Sequence, residues 1–470
     1  MKIKQTSLQL IALINLFSFQ LSAQTKFELA DMDKLYTLTD PQISPDGKSV
    51  LIVVSKPDTT TNSNKSFICK VDVVSGVVQQ LTFERKGVGY PRWSPSGNAV
   101  AFLAADAAGK SQLFVLAMTG GEAKKITNSP SGVTQFEWSP DGNTFAFVQK
   151  DEVPNKKQIE KGYDGFEIHY NSMFMNAAPS PSHLWLIPSE GGEANRLTAG
   201  SWTIPAGVAN SFSWSPDGKT IILQSNESPY SGELIFTIKT VEVATGKINR
   251  ITTTQIAADA MHKERLPLFS PDGRFIAYQL NLKHVGYGFD IYVTERSGGN
   301  GNNVTAKLDR CFFRAEWSMD SKAIFVAAND YNSVSLWMQP INGAAKKINT
   351  GTICITGAYW YNYTVGKNNA IALIASAPQS PQELYFIDNP ESAPRQLTHF
   401  HRHLKAVQFG KMETVSWKSD AFTPNGILTF PPDFDPSKKY PLVVEPHGGP
   451  RSTSKESFNP STQLKAAQGY

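Results

Sequence analysis

The chain has 470 residues, a formal net charge of +4, 18% charged residues, 11% aromatics, 34 glycines and 29 prolines. That length allows more than one domain and a large core. Apart from Lys2 and Lys4 there is no basic block, so the charge pattern argues against a nucleic-acid partner, and the turn-forming and aromatic content suits a β-rich chain.

In chain order, Met1 to Ala23 reads as a secretory signal peptide. Lys2 and Lys4 form its basic start, Leu8 to Leu21 its apolar stretch, and Leu21-Ser22-Ala23 its cleavage site. The apolar stretch is shorter than the roughly 20 residues that span a bilayer. The expectation is a periplasmic or secreted protein with no membrane span after cleavage. The three cysteines, Cys69, Cys311 and Cys354, do not make a disulfide framework. Cys311 and Cys354 are the more plausible pair for a single bridge, but buried free thiols are the favoured reading. No residue spacing calls for a metal or other cofactor.

A repeat fills the middle of the chain. Ser-Pro-Asp-Gly, or a worn form of it, stands at residues 44–47, 94–97, 139–142, 215–218, 270–273 and 318–321. Trp93, Trp138, Trp214, Phe269 and Trp317 precede five of the turns, and these aromatics read as core residues at hairpins. In such a turn Pro presets φ, Asp bonds its own backbone and Gly takes φ > 0. A second signature runs in step: Leu38-Thr39, Leu81-Thr82, Ile126-Thr127, Leu197-Thr198, Ile251-Thr252, Val304-Thr305, Ile348-Asn349 and Leu397-Thr398. Each unit therefore reads as a four-stranded antiparallel meander at the spacing of propeller blades. Gly366-Lys367-Asn368-Asn369 supplies a worn seventh turn. The expected fold is an all-β seven-bladed β-propeller over 24–404.

One interval between anchors is longer than the others and holds an insertion at 150–182. It is either a solvated rim loop or an arm that touches ligand. Further on, His399, His401 and His403 alternate. On an extended segment they would share one face, a metal-compatible arrangement. No cysteine or carboxylate stands near them in sequence, so a solvated connection is favoured.

The last stretch, 405–470, changes character. Leu442 to Val444 reads as a buried strand and is followed by the turn His447-Gly448-Gly449-Pro450. A strand running into a glycine turn of this kind builds part of an oxyanion hole, where backbone N–H groups must approach the substrate closely. No G-x-S-x-G nucleophile elbow occurs in the chain.

The repeats and this last stretch together resemble the prolyl oligopeptidase family of serine peptidases, which includes dipeptidyl aminopeptidases and acylaminoacyl peptidases. The resemblance rests on Glu413 to Asp420 with Trp417, Gly426 to Leu428, Pro431-Pro432, Lys439 to Val444, His447 to Pro450 and the helix-like Leu464 to Tyr470. The chain departs from the family pattern at Phe422 to Asn425, where an Asp-Gly pair is more usual. The resemblance implies a propeller joined to an α/β-hydrolase domain, of which 405–470 is the N-terminal part. It also implies that His447, Gly448, Gly449 and Pro450 form the oxyanion loop, with Gly448 N–H as a donor. The catalytic Ser, Asp and His are then expected beyond Tyr470, and the chain by itself is expected to be inactive, with the Leu442 to Val444 strand exposed for want of the rest of its sheet. The expected partner is a peptide substrate, whose α-amino group Glu152, Glu160 or Glu167 of the insertion could hold. The alternative is a TolB-like propeller that binds without catalysis.

Overall fold

The Ser-Pro-Asp-Gly repeat sets the geometry of the molecule. At the first turn, the Ser44 hydroxyl donates to Asp46 Oδ1 (2.6 Å) and accepts the Ser49 N–H (2.9 Å), while Asp46 Oδ1 also accepts the Lys48 N–H (3.0 Å). The same three bonds recur around Ser139, Ser215, Ser270 and Ser318. Each turn thus satisfies its own polar groups and can join two strands tightly.

The structure is a computed structural model. It describes residues 25–153, 156–163, 165, 180–205, 211–227, 236–252, 265–280, 288–357, 360–448 and 452–470. The expected signal peptide, Glu167, Gly449 and Pro450 lie outside the described residues.

Seven sheets follow one another, each built from consecutive strands in sequence order. Blade 1 comprises Thr37–Ile43, Ser49–Asp58, Ser63–Asp72 and Val78–Gln80. Blades 2 to 6 begin at Gly89–Trp93, Val133–Trp138, Phe212–Trp214, Arg265–Phe269 and Ala315–Trp317. In blade 7, Cys354–Ile355 and Tyr363–Val365 both pair with Ile371–Ala377, which continues to Ser380–Ile387 and Arg395–Gln396. The chain is a seven-bladed β-propeller, as the repeat predicts. No described strand is exchanged between the first and last blades, so blades 7 and 1 meet through side chains.

The core lies between blades. Side chains alternate along a strand, and the second strand of blade 6 uses this fully. Ile324, Val326 and Ala328 pack toward blade 5, while Phe325 and Ala327 pack toward blade 7. The ring closes in the same way, with Leu38, Val50 and Ile52 of blade 1 against Ala372, Ile374 and Leu384 of blade 7.

The turns also pack on one another. A Cβ placed on Gly97, Gly142, Gly218 or Gly273 would meet the proline ring of the preceding blade's turn, at 3.6, 3.6, 3.8 and 3.5 Å. Where the glycine is lost, the replacement bonds backward instead. Ser321 (φ 60) accepts the Asp272 N–H at 3.0 Å, and Asn369 (φ 56) accepts the Met319 N–H at 3.0 Å. The worn seventh turn is thereby a working member of the set.

The Leu-Thr anchors acquire a physical reason. The threonine hydroxyl accepts a backbone N–H from the third strand of its own blade, always fourteen residues upstream: Thr82 from Ile68, Thr127 from Leu113, Thr198 from Leu184, Thr305 from Ile291 and Thr398 from Leu384. The outermost strands are short, and this bond continues the ladder beyond them.

Residues before and after the ring form a second unit. Thr25–Lys26 pairs in parallel with Val407–Gln408, and Phe27 packs with Leu404, Phe409 and Ala467. Met412–Ser416 and Asn425–Thr429 form a hairpin, and the helix Pro460–Ala467 is capped by the Asn459 side chain, which accepts the Thr462 N–H. No described helix is long and apolar enough to cross a membrane.

Candidate functional site

Two features of the chain meet on one face of the ring. The turn joins a blade's first strand to its second, so the end of the second strand from which the connection to the third departs lies on the face opposite the Ser-Pro-Asp-Gly turns. The 405–470 segment packs on that face. Asn332, in this connection of blade 6, donates to Thr414 Oγ1 (2.8 Å), and its carbonyl accepts the Glu456 N–H (2.8 Å). In blade 7, Gln463 donates to the Pro378 carbonyl (3.2 Å), and Gln379 donates to that of Phe409 (2.9 Å). The 150–182 insertion is the same connection of blade 3, so it leaves from this face.

The stem of the insertion is pinned. Asp151 N–H donates to the Pro181 carbonyl (2.8 Å), and the Ser180 hydroxyl donates to the Asp151 carbonyl. The Asp151 carboxylate accepts from Arg196 Nη2 (2.8 Å) and lies 3.8 Å from Nε2 of the fully buried His183. Burial holds the His183 imidazole below its ordinary basicity, against the pull of Asp151. Beyond the stem, Lys156–Ile159 is a single helical turn. Glu152 accepts from Lys156 Nζ (2.9 Å), so it has a cationic partner, and both Glu152 and Glu160 are exposed.

The expected oxyanion segment is also exposed. His447 Nδ1 lies 3.3 Å from the Gly448 carbonyl, and a Cβ on Gly448 would meet nothing within 4 Å. Packing within this chain therefore does not demand glycine there. Leu442 to Val444 is exposed, as an apolar run without the rest of its sheet should be, but it forms no strand. It is unpaired among the described strands, and the three residues are 71%, 44% and 76% exposed. With no neighbouring strand, neither a hydrogen-bond ladder nor a packed face can form. Glu445 is tied to Lys465 of the C-terminal helix, which keeps this stretch beside the ring.

The histidine trio differs from its expectation too. Arg402–Leu404 is a 3₁₀ turn, so the segment is not extended, and His401 is buried at 7% exposure. The Glu383 carboxylate, fifteen residues from Thr398 in the preceding strand, draws His401 inward: His401 Nδ1 lies 3.2 Å from Glu383 Oε1. His399 is engaged by Gln396 (3.0 Å). Among the described residues no group of three His, Cys, Asp or Glu could hold a metal. Sequence reading missed Glu383, and its signal was the polar residue that precedes the strand-three partner of four Thr anchors, Gln112, His183, Asp290 and Glu383 itself.

All three cysteines are free thiols, Cys69 and Cys354 buried and Cys311 partly so. Burial pushes the Cys69 thiol up to about 12, which makes it a poor nucleophile. Three of the four hairpin tryptophans brace neighbouring blades: Nε1 of Trp93, Trp138 and Trp317 donates to the carbonyls of Gln42, Arg92 and Leu268 at 3.1, 3.4 and 3.2 Å, whereas the buried Trp214 Nε1 has no such bond.

Fold and site together define a propeller carrying a second unit on the face from which its one long insertion departs. Comparisons with known proteins find similar chains. Residues 15–182 match the family model described as TolB beta propeller domain. Dipeptidyl-peptidase 5 of Porphyromonas gingivalis is 25% identical over 478 residues, covering 93% of this chain and 65% of that protein. The acylaminoacyl peptidase of Pyrococcus horikoshii superposes with a TM-score of 0.74 at 19% identity, over 95% of this chain and 66% of that one. The β-propeller domain of the trilobed protease from Pyrococcus furiosus, whose structure is described as having an open velcro topology, gives a TM-score of 0.55 at 18% identity, over 78% of this chain and 97% of that domain. The chain thus spans just under two thirds of the length of the first two relatives. These names and this fold support the resemblance to a peptidase of the prolyl oligopeptidase family.

Proposed function

We propose that this chain is the propeller and the beginning of the α/β-hydrolase domain of an exported serine-type peptidase acting on short peptides. The observation that carries the proposal is the shared face: the unit bearing His447 and Gly448 packs, on blades 6 and 7, on the face of the ring from which the 150–182 insertion leaves blade 3. A peptide held there would lie between a substrate-contacting arm and an oxyanion donor. The Gly448 N–H would stabilise the oxyanion of acyl transfer, and the propeller would restrict access to small substrates. In this reading the nucleophile, its base and the orienting carboxylate are not supplied by these 470 residues, and the chain is inactive alone.

In the whole enzyme, Glu152, Glu160 or Glu167 would hold the substrate's α-amino group. Glu167→Gln is expected to lower kcat/KM for free-amine dipeptidyl substrates by about tenfold or more, the effect of one lost charge-assisted bond. An unchanged value would remove Glu167 from that role, and the same measurement applies to Glu152 and Glu160.

The match to the TolB propeller model favours a second reading, a binding propeller without catalysis. Hydrolysis of a dipeptidyl 4-nitroanilide by the protein purified from its native source separates the two. Turnover that is blocked by a serine-directed fluorophosphonate supports the peptidase, and its absence supports the binding protein.

A further inference from the structure

The chain crosses between the propeller and the second unit twice, entering blade 1 at Tyr36 and leaving blade 7 through Thr398 to Leu404. One buried imidazole holds both crossings. His401 Nε2 accepts the Tyr36 backbone N–H at 2.9 Å, so the ring proton sits on Nδ1 and is donated to Glu383 Oε1 at 3.2 Å. Glu383, 5% exposed in the Ser380–Ile387 strand, also accepts the His401 N–H (3.0 Å) and the Thr398 hydroxyl (2.6 Å). Burial opposes the charge on Glu383, and the bonds from His401 and Thr398 outweigh it, holding the carboxyl below its usual range. Gln382 pairs with the Leu38 backbone, its amide nitrogen donating to the carbonyl and its amide oxygen accepting the N–H, each at 3.3 Å. Since no described strand is exchanged to close the ring, this polar knot joins its two ends where they also meet the second unit.

We propose that His401 is an acid-operated latch on the joint between the propeller and the second unit. The observation specific to it is that a single ring accepts from one crossing and donates to the blade beside the other. A proton added at Nε2 removes the acceptor for the Tyr36 N–H and sets two N–H donors against each other. The imidazolium keeps its bond to Glu383, so the exit from blade 7 stays fixed while the entry at Tyr36 is released. The other groups facing the latch are His403, whose ring lies 6.2 Å from that of His401, and the Tyr36 ring at 5.9 Å. Asp31, bonded to Lys34 (2.7 Å), faces His403, and the Glu383 carboxylate faces His401.

Hydrogen exchange read by mass spectrometry tests this on the intact chain, from about pH 8 to about pH 5, a range that brackets an ordinary imidazole. After correction for intrinsic exchange, protection of the peptide containing Tyr36 is expected to fall by about tenfold or more, while the Ile371–Ala377 strand stays protected. His401→Gln offers a donor and an acceptor but takes no proton, and its Tyr36 peptide should show no such fall. Glu383→Gln retains the titrating ring without the carboxylate, and its midpoint should move to lower pH. Protection at Tyr36 that is constant over the range in the unmodified chain overturns the proposal. So does an equal fall in His401→Gln, or an unmoved midpoint in Glu383→Gln.

Discussion

At the scale of single residues, the repeat is an arrangement for satisfying backbone groups. Thr127 shows it most cleanly. Its hydroxyl accepts the Leu113 N–H (3.0 Å) and donates to Gln112 Oε1 (2.8 Å), all within a buried setting. Thr127→Val keeps the shape and leaves the Leu113 N–H without its acceptor. A loss of about 1–3 kcal/mol is expected in denaturant unfolding, the cost of an unsatisfied buried group. The threonines could be seen in the sequence as a period, but not their purpose, because the N–H they serve lies on a strand fourteen residues upstream. Glu383 and His401 were hidden for a related reason. The histidines looked like a solvated run until the carboxylate on the neighbouring strand turned one of them inward.

At the scale of the element, a blade depends on its turn and on the ends of its strands. Ser215, fully buried, donates to Asp217 Oδ1 (2.6 Å) and accepts the Thr220 N–H (3.0 Å). Ser215→Ala is expected to lower stability by about 1–2 kcal/mol, measured by the same unfolding experiment. At the end of the Ala323–Asp330 strand, burial works against the charge of Asp330. The bonds from Lys347, Arg310 and Ser335 prevail and bring its carboxyl from 3.8 to about 2. A depressed carboxylate stabilises the fold above its unfolded pKa, and that contribution is lost as pH falls through the folded value. Asp330→Asn should therefore cost about 2 kcal/mol at neutral pH. Its difference from the parent chain should shrink between about pH 4 and about pH 2 in urea titrations. The turn motif announced these blades from sequence because its residues are adjacent in the chain. The split first strand of blade 7 was not announced, since it follows from a close approach: a Cβ on Gly357 would come within 2.3 Å of the Trp360 carbonyl oxygen.

At the scale of the whole molecule, the number of blades followed from counting turns, including the worn one whose Asn369 replaces glycine. The relation between the insertion and the His447–Gly448 segment could not be read that way. It depends on which face of the ring each connection occupies, and the bonds of Asn332, Gln379, Thr453 and Gln463 place the second unit on the insertion's side. Leu442 to Val444 looked like a strand from its apolar run, yet an apolar run becomes a strand only beside a partner. The central claim is that this ring serves a serine peptidase whose nucleophile follows the His447 to Pro450 loop. The most direct measurement is fluorophosphonate labelling of the protein purified from its native source, with the modified residue located by peptide mass spectrometry. The account predicts a single labelled serine in sequence beyond Tyr470, and no label on the 470-residue chain expressed alone. A native protein that takes no label, or a label that falls within the propeller, would contradict it.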